Sequence, residues 1–181
     1  ERLWLFDVTG TAKADDLLTV FRYAARRYRV TQFVVDSLAK CGIAEDDYSG
    51  QKAIVERLID FAHEMNVHVH LVVHPRKGEN ENAPPGKMDV KGTGAITDMA
   101  DNVLVCWRNK RKESKRNDRP DGAAEDTMRA GGDQDDDARI YVNKQRHDGS
   151  EGVIKLWFDS GSLQYLPDEY ARPVCYVDAL R

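Results

Sequence analysis

Phe33-Val34-Val35-Asp36 is a short apolar run that closes on a carboxylate, and the way the chain continues from it decides the fold. Gly42 to Tyr48 is polar, as a loop should be, and Ser49 to Met65 then places Ile54, Leu58, Phe61, Ala62 and Met65 at helical spacing. Val67 to His74 follows, rich in β-branched residues, which predicts another strand. Strand, helix, strand is the pattern of a right-handed crossover between parallel strands. The same alternation is visible upstream. Leu3-Trp4-Leu5-Phe6 ends in Asp7 and a Thr9-Gly10 turn, after which Leu17, Phe21, Ala24 and Tyr28 mark a helix. Asp15 and Asp16 lie near its start and Arg26, Arg27 and Arg29 near its end, the polarity that the helix dipole favours.

Beyond His74 the chain enters a long polar loop with Pro75, Pro84, Pro85 and Gly86, and Asn102 to Trp107 reads as a further strand. After Trp107 the pattern changes: Ile140 to Asn143, Val153 to Phe158 and Leu163 to Leu166 are closely spaced, as in an antiparallel meander. Between these regimes, Arg108 to Asp137 has almost no large apolar residue. It splits into a basic half (Lys110, Arg111, Lys112, Lys115, Arg116) and an acidic half (Asp133, Asp135, Asp136, Asp137). Such a segment buries too little surface to offset its ordering entropy, so residues 109–137 are expected to form a disordered, charged insertion. The expected fold is α/β: a partial core on a mainly parallel sheet flanked by helices, ending in an antiparallel hairpin or meander. It is expected to span residues 1–167, with 168–181 as a tail.

A chain of 181 residues is long enough for one domain with a real core. Its formal charge of -4 excludes blanket electrostatic binding to nucleic acid and leaves local basic patches to do any such work. Cys41, Cys106 and Cys175 are scattered and form no C-x-x-C pair, so neither a disulfide framework nor a zinc signature is present and a reducing, intracellular compartment is expected. No apolar run approaches the roughly 20 residues of a membrane span, and Glu1 to Phe6 do not form a signal peptide. Starting at Glu1 directly before an apolar run suggests a chain that begins inside a larger protein.

Lys144-Gln145-Arg146-His147-Asp148-Gly149 lies between two of the predicted strands. In extended chain residues i and i+2 share a face, so Lys144 and Arg146 can reach one anionic target, such as a triphosphate, together. Their bland reading is a solvated hairpin tip. No G-x-x-x-x-G-K-[ST] phosphate cradle occurs, and Gly86-Lys87-Met88 lacks both the earlier glycine and the hydroxyl. Asp36 ends a predicted parallel strand at its carboxyl edge, where open α/β sheets place ligands, and a carboxylate there can hold the waters of a nucleotide-bound magnesium ion. Leu5-Phe6-Asp7 has the same form, and an aspartate after a strand is commonly a turn residue. His74 ends its strand at the same edge, where an imidazole can report on a phosphate or an attacking water. His68 and His70 alternate with it, but nothing nearby completes a tetrahedral metal set, and His63 reads as a polar residue near a helix end. Lys91-Gly92-Thr93-Gly94 follows a loop carrying Arg76, Lys77 and Lys87. The glycines permit close backbone approach and the Thr93 hydroxyl and nearby amides can donate to phosphate; equally, the stretch can be a flexible loop before a helix start. No aromatic residue lies in it, so any strand of nucleic acid would be held by its backbone.

In this order the pieces resemble the RecA-like motor of ring-shaped replicative helicases of the DnaB type, closest to the helicase halves of phage primase-helicases and the mitochondrial helicase Twinkle. Phe33-Val34-Val35-Asp36-Ser37-Leu38 looks like the Walker B strand and Leu71-Val72-Val73-His74 like the strand ending in the phosphate-sensing histidine. Lys91-Gly92-Thr93-Gly94-Ala95-Ile96-Thr97-Asp98-Met99-Ala100-Asp101 is similar to the family's R-G-S-G-A-I-E-x-x-A-D segment, and Lys144-Gln145-Arg146 with Gly149 to its K-x-R finger hairpin. The resemblance implies that Asp36 positions magnesium and His74 couples phosphate state to the DNA loops. It further implies that Lys91, Gly92, Thr93 and Gly94, with Arg76, Lys77 and Lys87, face single-stranded DNA, that Arg146 enters the next subunit's site with Lys144 beside it, and that Arg108 borders the base pocket. The implied ligands are ATP or another NTP or dNTP and Mg²⁺. The implied partners are single-stranded DNA, copies of the chain in a ring, hexameric in the full-length protein, and a fused or associated primase. The implied setting is the cytoplasm of a bacterial or phage-infected cell, or a mitochondrion. The implied activity is ATP-dependent 5′-to-3′ DNA unwinding. The family's Walker A lysine and catalytic glutamate would fall upstream of Glu1, so this polypeptide alone is expected to be inactive. Ser37 follows Asp36 where a substitute base would have to stand, and Lys91 replaces the family's arginine, keeping the charge but losing its bidentate fork. Two alternatives remain: a non-catalytic RecA-like module that assembles or binds single strands, and a recombinase or clock-protein relative.

Overall fold

The fold is described from a computed structural model, in residues 3–7, 10, 12–76, 84, 86, 89, 91–117 and 136–175. Its elements are α1 (Ala14–Tyr28), β1 (Gln32–Val35), a short 3-10 turn (Leu38–Lys40), α2 (Tyr48–Met65), β2 (His68–Leu71), α3 (Ala95–Met99), β3 (Asn102–Arg108), α4 (Lys110–Asn117), β4 (Ala138–Gln145), β5 (Gly152–Asp159) and β6 (Gln164–Leu166). The chain divides into two compact units, residues 1–77 with 88–100, and 78–87 with 101–181. Among the described residues no helix is long and apolar enough to cross a membrane.

In the first unit β1 and β2 pair in parallel, Phe33 opposite Val69 and Val35 opposite Leu71, with α2 as the crossover. Alternation along β1 sends Phe33 and Val35 into the core and leaves Gln32 and Val34 exposed. α1 contributes Leu17, Leu18 and Phe21, and α2 contributes Ile54, Val55, Leu58 and Phe61. Phe21, Phe33 and Phe61 form an aromatic triad with centroids 4.6 to 5.8 Å apart, and Phe61 is fully buried. Each such ring contributes about 1.5–3 kcal/mol by leaving water. Both helices end on a left-handed residue, Arg29 and Asn66, and the Asp47 carboxylate caps α2 by accepting from the Gly50 amide at 2.8 Å. Tyr28, at helix spacing with Leu17, Phe21 and Ala24, closes α1, stacks on Trp4 and is 42% exposed. Leu3 to Phe6 are exposed and belong to no strand, and β2 ends at Leu71, shorter than its β-branched run suggests, with Val72 still bonded to the β1 side and Val73 and His74 beyond it.

The second unit is a four-stranded antiparallel sheet in the order β3, β4, β5, β6. β3, expected to continue the parallel sheet, pairs with β4 instead, Trp107 opposite Arg139, and a bulge interrupts the register at Val103/Leu104. In the charged segment 109–137, Lys110–Asn117 form α4, and Asn109, Asp136 and Asp137 bond with one another's elements and the sheet. Asn109 is buried and its side-chain oxygen accepts from the Lys112 amide, capping α4, while its amide group donates to the Asp136 carbonyl. Asp136 is 1% exposed and holds Arg139 through two hydrogen bonds of 2.6 and 2.8 Å. Asp137 accepts from the Phe158 amide and pairs with Lys112. These carboxylates are paired with partners from sheet and helix, which compositional reading cannot see. Residues 118–135 lie outside the described residues.

Candidate functional site

The parallel pair fixes where the first candidates stand. The Leu38 amide donates to the Val72 carbonyl and the Val72 amide to the Val35 carbonyl, both at 3.0 Å, so the ladder continues just past β1 and β2. Asp36 follows β1 and His74 follows β2 at the same, carboxyl-terminal edge, and both are exposed. The Asp36–Ser37 peptide is cis, and Ser37 and Leu38 are buried beneath the edge.

The His74 carbonyl accepts from the Lys91 amide at 2.9 Å, which brings the Lys91 to Gly94 stretch to this edge. A small cavity of about 60 Å³ lies here, with His74, Glu45, Gln51 and Lys91 in its wall. Gln51 organises the loop. Its Nε2 donates to the carbonyls of Glu45 (2.9 Å) and Ala44 (3.3 Å), and its Oε1 accepts from the Thr93 amide (3.1 Å). Gly92 is buried with φ +132°, and a Cβ on it would lie 2.4 Å from Gln51 Oε1. Only glycine satisfies both the backbone angle and the close approach. The Thr93 amide is therefore already engaged within the protein, while its hydroxyl oxygen accepts from the Ala95 amide and keeps its own proton to donate. Lys91 remains exposed, its ammonium 2.6 Å from Glu45. Arg76 turns its guanidinium to the Gly92 carbonyl at 2.8 Å and bonds the loop it was expected to accompany. Lys77 and Lys87 lie outside the described residues.

In the second unit Lys144 is the penultimate residue of β4 and Arg146 opens the turn to β5. Gln145 shapes that turn: its side-chain oxygen accepts from the His147 and Asp148 amides, its carbonyl from Gly149, and Gly149 adopts φ +72°. The Arg146 side chain is 55% exposed and donates to Asp101 at 2.8 Å, while its amide donates to the Asp101 carbonyl at 2.9 Å. Arg108 is exposed and pairs with Glu113 at 3.2 Å.

Three residues the sequence reading passed over, Gln51, Glu45 and Asp101, hold the ones it chose. Gln51 had a legible signal: it stands three, four and seven residues before Ile54, Val55 and Leu58, on the inward face of α2. Glu45 had none, because its partner is distant in sequence, and Asp101 stood out only as the last residue of the Lys91 to Asp101 motif, with nothing to name Arg146 as its partner.

His68 and His70 sit side by side on the exposed face of β2, ring centroids 4.3 Å apart. Partial burial, and then repulsion from His68, lower the His70 pKa below the usual imidazole value. Burial raises the Cys41 thiol above its ordinary value. Among the described residues no group of three or more His, Cys, Asp or Glu side chains is arranged to hold a metal ion.

A crossover-linked parallel pair with a carboxylate and a histidine at its carboxyl edge, followed by an antiparallel sheet with a basic hairpin, defines a RecA-like α/β core. The chain matches the model of the DnaB-like helicase C-terminal domain over residues 2–166, and it belongs to that family. Its fold is similar to a solved DnaB-like replicative helicase described with its interactions with primase, at TM-score 0.62 and 16% identity over 86% of this chain. The chain spans 35% of that helicase's length.

Proposed function

We propose that this chain is the part of a ring-forming, ATP-dependent replicative DNA helicase that carries the magnesium carboxylate, the phosphate sensor, a DNA loop and a trans-acting arginine. The observation that carries the reading is the shared edge of β1 and β2, where Asp36 and His74 stand together and the His74 backbone is bonded to Lys91. Asp36, exposed at a strand end, fits a magnesium ion bound through water, since that ion takes few protein ligands and shares the nucleotide's phosphates. Bound there with nucleotide, the ion would neutralise phosphate charge. His74 would sense the γ-phosphate, and its main chain would pass any displacement to Lys91. Lys91, with Arg76, Lys77 and Lys87, meets DNA phosphate, and Gly92, Thr93 and Gly94 bring the loop's backbone close to the strand. Lys144 and Arg146, at the β4–β5 hairpin, would reach a neighbouring subunit's nucleotide once Arg146 exchanges Asp101 for phosphate, and there a guanidinium can stabilise charge on the transferring phosphoryl group. Arg108 borders the base pocket. The motor works on single-stranded DNA with 5′-to-3′ polarity, as a hexamer associated with a primase.

Two measurements test this. The isolated polypeptide with single-stranded DNA should show no robust magnesium-dependent ATP hydrolysis. In the full-length protein, Asp36→Asn and Arg146→Ala rings should each be inactive, while rings mixed from both recover a fraction of the activity at interfaces pairing an intact Asp36 with an intact Arg146. Mixed rings with no recovery would place Arg146 in its own subunit's chemistry and overturn the proposal, and a non-catalytic module would show no hydrolysis even as the full-length wild type.

A further inference from the structure

Lys91 is held at two atoms. Its amide is bound by the His74 carbonyl, and its ammonium lies 2.6 Å from the Glu45 carboxylate. The Glu45 backbone is itself fixed, because its carbonyl accepts a hydrogen bond from the buried Gln51 side-chain amide, whose oxygen at the same time accepts from the Thr93 amide. One side chain thus locks the carboxylate's backbone and the loop's backbone into a single frame. The ammonium and carboxylate at its rim remain largely exposed, at 49% and 68%.

A carboxylate oxygen at that distance from an ammonium occupies the position and supplies the charge that a nucleic-acid phosphate oxygen would. The Gln51 frame does not depend on the ion pair, so the pair can exchange without moving the loop. We infer that Glu45 is an internal competitor for backbone phosphate: it neutralises Lys91 when the loop is empty and yields it when a strand arrives. This rests on the reading that Lys91 faces DNA. It gives the loop a threshold, since an isolated phosphate gains little by displacing Glu45 whereas a strand engaging several subunits gains at each. An exposed pair of this kind weakens single-site binding by a small factor, about two- to fivefold.

The test measures binding of a fluorescent oligothymidylate to the full-length protein across a range of salt, for wild type, Glu45→Gln, Lys91→Ala and the double variant. Glu45→Gln should tighten binding about two- to fivefold and steepen the log-log salt dependence by up to about 0.7, the contribution of one further phosphate on a single strand. Lys91→Ala should weaken binding, and adding Glu45→Gln to it should give no gain. If Lys91→Ala weakens binding but Glu45→Gln does not tighten it, the competitor role is wrong and the DNA loop stands. If Lys91→Ala changes nothing, the DNA loop itself is wrong. A gain that persists in the double variant would assign Glu45 a general field effect rather than competition at Lys91. A gain in affinity for a fluorescent ATP analogue instead of DNA would move Lys91 to the nucleotide, and overturn the inference.

Discussion

Alanine at Gly92 puts a methyl group where the loop has no room and the backbone angle that alanine resists. The added Cβ would stand 2.4 Å from Gln51 Oε1 and 3.2 Å from Ile96 Cδ1, at φ +132°. Gln51 cannot simply swing aside, because it is 5% exposed and its amide is held by the Ala44 and Glu45 carbonyls. The backbone conformation costs about 1–3 kcal/mol for a residue with a side chain. Losing the Thr93–Gln51 hydrogen bond costs about 0.5–1.5 kcal/mol more. The shown loop conformation should thus be disfavoured by about 2–4 kcal/mol, and if only that conformation binds DNA, the apparent dissociation constant rises about 30- to 1,000-fold. The assay is oligothymidylate anisotropy on the full-length Gly92→Ala protein, with urea unfolding in parallel. Gly10→Ala serves as control, since Gly10 has φ +101° but nothing within 4 Å of an added Cβ. It should leave DNA affinity unchanged. A Gly92→Ala protein with wild-type affinity and an unshifted urea midpoint would refute the reasoning, because it would show that the Gly92–Gln51 approach constrains nothing.

Phe61→Ala removes the centre of the aromatic triad and should destabilise the protein by about 3–5 kcal/mol, read as a lower urea midpoint. For Asp136, burial pushes the carboxyl up, but the Arg139 hydrogen bonds, a backbone hydrogen bond and the charges of Arg139 and Lys155 together outweigh it and the net shift is downward; the hydrogen bonds to Asp136 in turn raise the Arg139 guanidinium. A carboxylate whose folded pKa lies below its unfolded value, about 3.9, stabilises fully above that value and loses its contribution as pH falls through the folded pKa. Asp136→Asn should therefore be less stable at pH 7 and show a shallower loss of stability in acid, and an acid profile as steep as wild type would count against the pair. Arg146→Lys keeps the charge but not the fork, so hydrolysis by the full-length protein should stay more than about tenfold below wild type while the ring still assembles on a sizing column.

The periodicity of α1 and α2, the apolar run of β1 and the turn chemistry around Gly149 depend on residues close together in the chain, and the amino-acid order alone identified them. So did the motifs that carry the family likeness, because the strand-ending carboxylate and the K-x-R spacing are contiguous patterns. What the order could not disclose is who pairs with whom at a distance. Gln51 reaches Thr93 over 42 positions, Lys91 reaches Glu45 over 46 and Arg146 reaches Asp101 over 45. The charged ends of 109–137 likewise read as solvated until Asp136 finds Arg139 and Asp137 finds Lys112 and the Phe158 amide. A local pattern records which face of an element is apolar, and therefore what must be buried. The partner of a polar group is set by which elements the fold brings into contact, so the supports of the site belong to tertiary structure.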